Sequence, residues 1–178
     1  QDYPDTEIIR GVTFVRERYF IIADRLKSDL DQPRSHQFRV HAFAGLDLSG
    51  TVTLEDYGPH IRKEKGAVQV YTSTSAGTCL LNEPEFKEKS VPHVHKLESD
   101  EGHHTVTDCS VSGYAPDFLT VLAPYKIESE SGDTAPLSLT PIPTEKGVAW
   151  QISGEGFTDL AWLREEGAPE KLELLDGQ

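Results

Sequence analysis

The stretch RGVTFVRERYFIIADRLKSDLDQPRSHQFRVHAFAG, residues 10–45, decides the fold. In residues 19–26, Tyr19, Ile21, Ala23 and Arg25 fall on one side and Phe20, Ile22, Asp24 and Leu26 on the other. A period of two in a run rich in aromatic and β-branched residues marks a strand. Residues 11–15 predict a strand before it, and Arg16-Glu17 between them is short enough for a tight hairpin. After a polar loop with Pro33, residues 36–43 alternate again, with His36, Phe38, Val40 and Ala42 against Gln37, Arg39, His41 and Phe43. Both faces of these strands are partly apolar, which places them inside a sandwich rather than on a one-sided sheet.

The rest of the chain reads as more of the same. Short strands are predicted at 51–54, 60–65, 67–72, 78–81, 117–123, 137–139, 148–152 and 157–163, with Pro124 ending the fifth of these. Residues 93–97 and 103–109 predict a hairpin closed by an acidic turn ending in Gly102. Residues 83–90, around Phe86, and the acidic stretch 128–136 read as solvated connections. Residues 1–9 form a lead-in arm, and 164–178 a closing segment with a last edge strand at 172–175. No apolar 3.6-residue period persists for three turns. Roughly eleven short strands at this spacing predict one all-β domain over residues 1–178, an antiparallel two-sheet β-sandwich, jelly-roll-like, with little or no helix.

Composition narrows the functional classes. With 37% hydrophobic and 26% charged residues, the 178-residue chain is an ordinary globule with a real core rather than a disordered one. A net charge of −13, from 30 acids against 17 bases, argues against nucleic acid and anionic membranes as partners. A local basic patch on such a chain can still grip an acidic sugar. No run approaches the roughly 18 apolar residues that span a bilayer. The chain begins at Gln1 without a signal-peptide pattern and reads as a processed chain or a piece of a longer one. Cys79 and Cys109 fit either one disulfide or two buried thiols.

Candidate chemistry is sparse. His93 and His95 share a strand face, and either His103 or His104 falls on it across the turn, with Asp108 as a further oxygen donor. Zinc or another divalent metal would suit that set. The plainer reading is a solvated hairpin with no cofactor, and it is preferred because nothing brings three ligands to one face. His36 and His41 point to opposite faces, and His41 is expected to be a hydrogen-bonded structural residue. Arg10, Asp24 and Arg25 are expected to form an ion-paired network between strands, since buried charges need partners. Tyr57, Tyr71, Tyr114 and Trp162 are candidate platforms for a sugar face, each with a core or rim position as the alternative. The G-x-S-x-G, G-x-x-x-x-G-K, G-x-G-x-x-G and H-E-x-x-H patterns are all missing.

Arg10, Phe14, the run Tyr19-Phe-Ile-Ile-Ala-Asp-Arg25, His36 and His41 together resemble the β-sandwich of heparinase II/III-like polysaccharide lyases. The downstream run Phe118-Leu-Thr-Val-Leu-Ala-Pro124 is similar to that family's late strand, so the resemblance covers roughly residues 10–125. It implies an antiparallel sandwich, with Tyr19 among its structural residues, that accompanies an α-helical toroid domain of the same protein. In that family the toroid carries the catalytic tyrosine and a neutralising Asn or His for β-elimination on uronate-containing polysaccharides. An early His-x-His segment of the sandwich adds another histidine. His93-x-His95 stands in the wrong order to be that segment, so its role is not carried over. The resemblance thus implies a later, C-terminal sandwich that supports the cleft or contacts polysaccharide, does not cleave sugar alone, and is periplasmic or secreted. The alternatives from the residues are an independent carbohydrate-binding module and a small metal-dependent enzyme on the histidine cluster.

Overall fold

A computed structural model describes residues 6–29, 31–42, 44, 49–77, 79–81, 85–87, 104–127, 137–144, 146–164 and 167. Thirteen strands and no helix occur among them, so none contains a helix long and apolar enough to cross a membrane. They are β1 (Thr6–Val15), β2 (Tyr19–Ser28), β3 (Arg34–Ala42), β4 (Thr51–Glu55), β5 (Gly58–Lys63), β6 (Gly66–Thr74) and β7 (Leu80–Leu81). The chain continues with β8 (Glu85–Lys87), β9 (His104–Gly113), β10 (Phe118–Lys126), β11 (Ser138–Ile142), β12 (Gly147–Gly154) and β13 (Phe157–Arg164). β1 starts at Thr6, inside the expected lead-in arm, because Ile8 and Ile9 pair with Leu26 and Arg25.

Six strands form an antiparallel sheet in the order β1-β2-β10-β6-β5-β4. Parity along its middle strands decides everything else. On one face Tyr19, Leu119, Val121 and Ala123 meet Leu139, Val148, Trp150, Ile152 and Ala161 of the sheet β11-β12-β13. On the other, Phe118, with Ile22 and Leu26, meets Phe38, Cys109 and Val111 of the sheet β3-β9-β7, whose β9 also carries β8. The all-β antiparallel sandwich read from the sequence is therefore what the chain forms. Its layering is fuller than two sheets: the six-stranded sheet lies between two smaller ones.

Trp150 is fully buried at the centre of the first core, with Tyr57 edge-on at 4.9 Å and Tyr71 at 6.3 Å. The second core is tied by the Cys79–Cys109 disulfide, whose Cα atoms lie 5.5 Å apart, a span such a bridge requires.

Several local expectations change. β10 runs past Pro124 to Lys126, because pairing with β2 stops at Leu122 and proline's missing N–H faces an edge with no partner there among the described residues. Residues 85–87, expected in a connection, pair with β9. β9 has β3 along one edge and β7 and β8 along the other. Residues 93–97, 128–136 and 172–175 lie outside the described residues.

Candidate functional site

The cross-strand pair Arg10↔Asp24 puts an arginine and a carboxylate on one face of the β1–β2 ribbon. Asp24 is buried, and a carboxylate there needs its lone pairs filled. Arg10 supplies both bonds, Nε to Oδ1 at 2.5 Å and Nη2 to Oδ2 at 2.7 Å, and this hydrogen bonding raises the arginine's pKa above its ordinary value. The same guanidinium lies 5.7 Å from the centre of the Phe38 ring on the facing sheet. The network expected of Arg10, Asp24 and Arg25 is here a pair without Arg25; it joins β1 to β2 and leans on β3.

Between these strands and β3 runs a groove of about 340 Å³. Ile8, Leu26, Phe38 and Phe118 form its apolar wall, and Arg10, Arg34, His36, Gln37 and Arg39 its polar lining, with Asp24 the one carboxylate among the described lining residues. His36 Nε2 is 3.1 Å from the Gly113 carbonyl, which can only accept. The proton in this contact therefore sits on Nε2. Arg39 is forked onto Asp108 at 2.6 and 3.3 Å and donates to Gln37 at 2.8 Å. Arg34 is exposed and makes no ion pair among the described residues. With Arg10 paired to Asp24 and Arg39 to Asp108, Arg34 gives this place an excess of one cation among its described residues, on a strongly acidic chain.

A second cluster holds the β1–β2 hairpin to β13. Asp159 accepts from Arg16 Nε at 2.6 Å, Arg16 Nη2 at 2.8 Å and the Tyr19 hydroxyl at 2.8 Å. The Arg16 fork holds Asp159 below the usual carboxylate range. Burial, then the bond to Asp159, push the Tyr19 phenol well above its ordinary value, so it is no base near neutrality. Arg16 and Arg18 both lie over the Phe157 ring, at 4.9 and 5.4 Å. That ring folds back over Gly154, where an added Cβ would meet it at 2.5 Å. Arg16 and Glu17 both take positive φ, 52° and 54°, as this hairpin turn requires and as Asn-Gly would do more cheaply. The contacts of Arg16 offset that strain. Asp159 is one of 30 acids, and no sequence signal singles it out.

The remaining candidates are scattered. Arg25 Nη2 donates to the Arg164 carbonyl, and Arg25 Nε lies 3.7 Å from Asp117. His41 sits on the exposed side of β3. Tyr57 and Tyr71 pack on Trp150, with the Tyr71 hydroxyl donating to the Leu137 carbonyl at 3.3 Å. Tyr57 also lines a larger cavity of about 540 Å³ rich in the hydroxyls of Thr72, Ser73, Thr74 and Ser75, with no cationic side chain among the described residues of its lining. Tyr114 is 57% exposed, and the buried indole N–H of Trp162 has no hydrogen-bond partner among the described residues. His93, His95 and His103 lie outside the described residues, and His104 opens β9. Among the described residues no three His, Cys, Asp or Glu are grouped to hold a metal.

No family model and no curated protein matches this sequence. Among solved structures, a heparinase III with methylated lysines is similar in fold, with a TM-score of 0.59 and 15% identity, over 91% of this chain and 24% of its own. At that identity the likeness is one of fold. The present chain spans about a quarter of that protein's length.

Proposed function

We propose that this chain is a non-catalytic β-sandwich of a heparinase II/III-like polysaccharide lyase, supporting the sugar-cleaving cleft and contacting acidic polysaccharide through the arginine groove. The groove carries the reading. Guanidinium groups bind carboxylate and sulfate through paired, charge-assisted hydrogen bonds, and Phe38 gives a sugar ring an apolar wall. The fold likeness to heparinase III supports the setting, and its name indicates the kind of sugar. On this reading cleavage belongs to the helical toroid that the resemblance implies, and this sandwich does not cleave sugar alone. The Cys79–Cys109 bridge favours an exported location, where disulfides persist.

Titrating the chain with heparin-type, uronate-rich and neutral oligosaccharides tests this. Acidic chains should bind in a salt-dependent way, Arg34→Ala should weaken them about tenfold or more, and no unsaturated product should form. Binding of acidic sugars no better than neutral ones would sink the reading. A preference for neutral sugars would instead favour an independent carbohydrate-binding module at the larger cavity, which Tyr57 lines.

A further inference from the structure

β1 is apolar on both faces and exposed along almost its whole length. On the groove side Ile8 and Val12 are each 61% exposed and Phe14 53%, and on the other side Ile9 is 47% exposed. Among the described residues its one neighbour is β2, in unbroken register from Thr6↔Ser28 to Val15↔Tyr19. Among the described residues the other edge therefore offers ten residues of unpaired strand. Soluble proteins blunt such edges by shortness, proline, bulges or inward charge. β4, the opposite edge of the same sheet, is blunted by being five residues long. β1 has no proline and no bulge.

We propose that the β1 edge pairs with β1 of a second copy, antiparallel about a two-fold axis at Gly11, joining two six-stranded sheets into one. A two-fold axis perpendicular to the sheet keeps each face continuous, so partners must have like parity. Centred on Gly11, Ile8 stands opposite the partner's Phe14, Ile9 opposite Thr13, Arg10 opposite Val12 and Glu7 opposite Val15. Aromatic and β-branched residues directly opposite one another are favourable pairs, and no like charges meet. Phe14 is already stacked on Phe20, at 4.5 Å between ring centres, so the apolar row continues inward. Centring on Arg10 sets two guanidinium groups against each other, and centring on Ile9 or Val12 carries Phe14 or Ile8 off the end of the strand. Charge agrees. The ten residues hold one acid and one base on a chain of net −13, so this edge is a neutral window in a surface that otherwise repels a copy of itself. The pairing stands whatever the groove binds, although the partner's Phe14, beside Ile8, would extend the groove's wall.

Sedimentation equilibrium over a dilution series tests the proposal with two variants at the exposed position 12. Val12→Lys and Val12→Glu remove the same apolar group and should leave the monomer's thermal unfolding nearly unchanged. The lysine would face the partner's Arg10 twice by symmetry and should weaken dimerisation about tenfold or more, whereas the glutamate should preserve or tighten it. A wild-type chain that is monomeric at every concentration overturns the proposal and leaves the edge to a strand of another protein. Equal weakening by both variants also overturns it, because it would mean a non-specific apolar contact.

Discussion

β1 and β10 belong to one sheet, are of nearly equal length, and carry apolar residues on both faces, yet their surroundings differ completely. In β10, Phe118, Leu119, Thr120 and Val121 are all buried, with Thr120 Oγ1 satisfied by Thr72 Oγ1 at 3.1 Å. In β1, all but the two end residues are exposed. Strand propensity does not distinguish TEIIRGVTFV from FLTVLAPYK. Position does. β10 returns from the β3-β9 layer to lie between β2 and β6, where one small sheet covers the Leu119 side and the other the Phe118 side. β1 hangs on the outside of β2. A strand apolar on both faces thus states a need for cover without saying where the cover comes from.

The sharpest way to break this comparison is to truncate both strands alike. Leu119→Ala should destabilise the fold by about 2–5 kcal/mol, the usual range for a fully buried leucine that leaves a cavity. Ile8→Ala should stay within about 0.5 kcal/mol at concentrations where the chain is monomeric. Denaturant unfolding reads both, and equal losses would mean that β1 is covered in solution by the chain itself.

A second experiment removes part of the cover over β10. The Cys79–Cys109 bridge closes a loop of 30 residues, for which loop entropy gives about 3.5 kcal/mol. The double Cys→Ser variant should lose roughly that much. Hydrogen exchange should quicken in β3 and β9 before β12, since the bridge ties only the Phe118 side. Uniform quickening would show that the two covering sheets do not open separately.

The smallest effect concerns the one end of β1 that is held. Asp159 has its folded pKa lowered by the Arg16 fork, so its contribution is present above the ordinary carboxylate pKa. It is lost as pH falls through the lowered folded value. Arg16→Ala should move the Asp159 carboxyl titration, followed by NMR, back up toward the ordinary range, and flatten the acid limb of stability. An unmoved titration would assign the shift to something other than Arg16.

Much of this was legible in the chain. The alternation at 19–26, residues 36–42 of the second alternation and the run at 118–123 are strands in the structure, and Arg10 pairs with Asp24, whereas Arg25, expected in one network with them, meets Asp117. Asp159 and the Arg16 lock were not legible, because a carboxylate becomes special only through a partner 143 residues away. Pro124 misled for a related reason: proline ends a strand only where its missing N–H would have had an acceptor. Tyr57 and Tyr71 could be told apart from the exposed Tyr114 only once Trp150 was in place between the sheets.

What the sequence determined by itself is local: period-two alternation makes strands, turn residues separate them, and apolar residues on both faces demand layers above and below. What only the tertiary structure decided is which strand lies next to which. Backbone hydrogen bonds between strands are alike whatever the residues, so the choice of neighbours falls to the packing of side chains distant in sequence. That choice inserted β10 between β2 and β6, left β1 at the edge, and brought Arg10, Arg34, His36 and Arg39 to one groove.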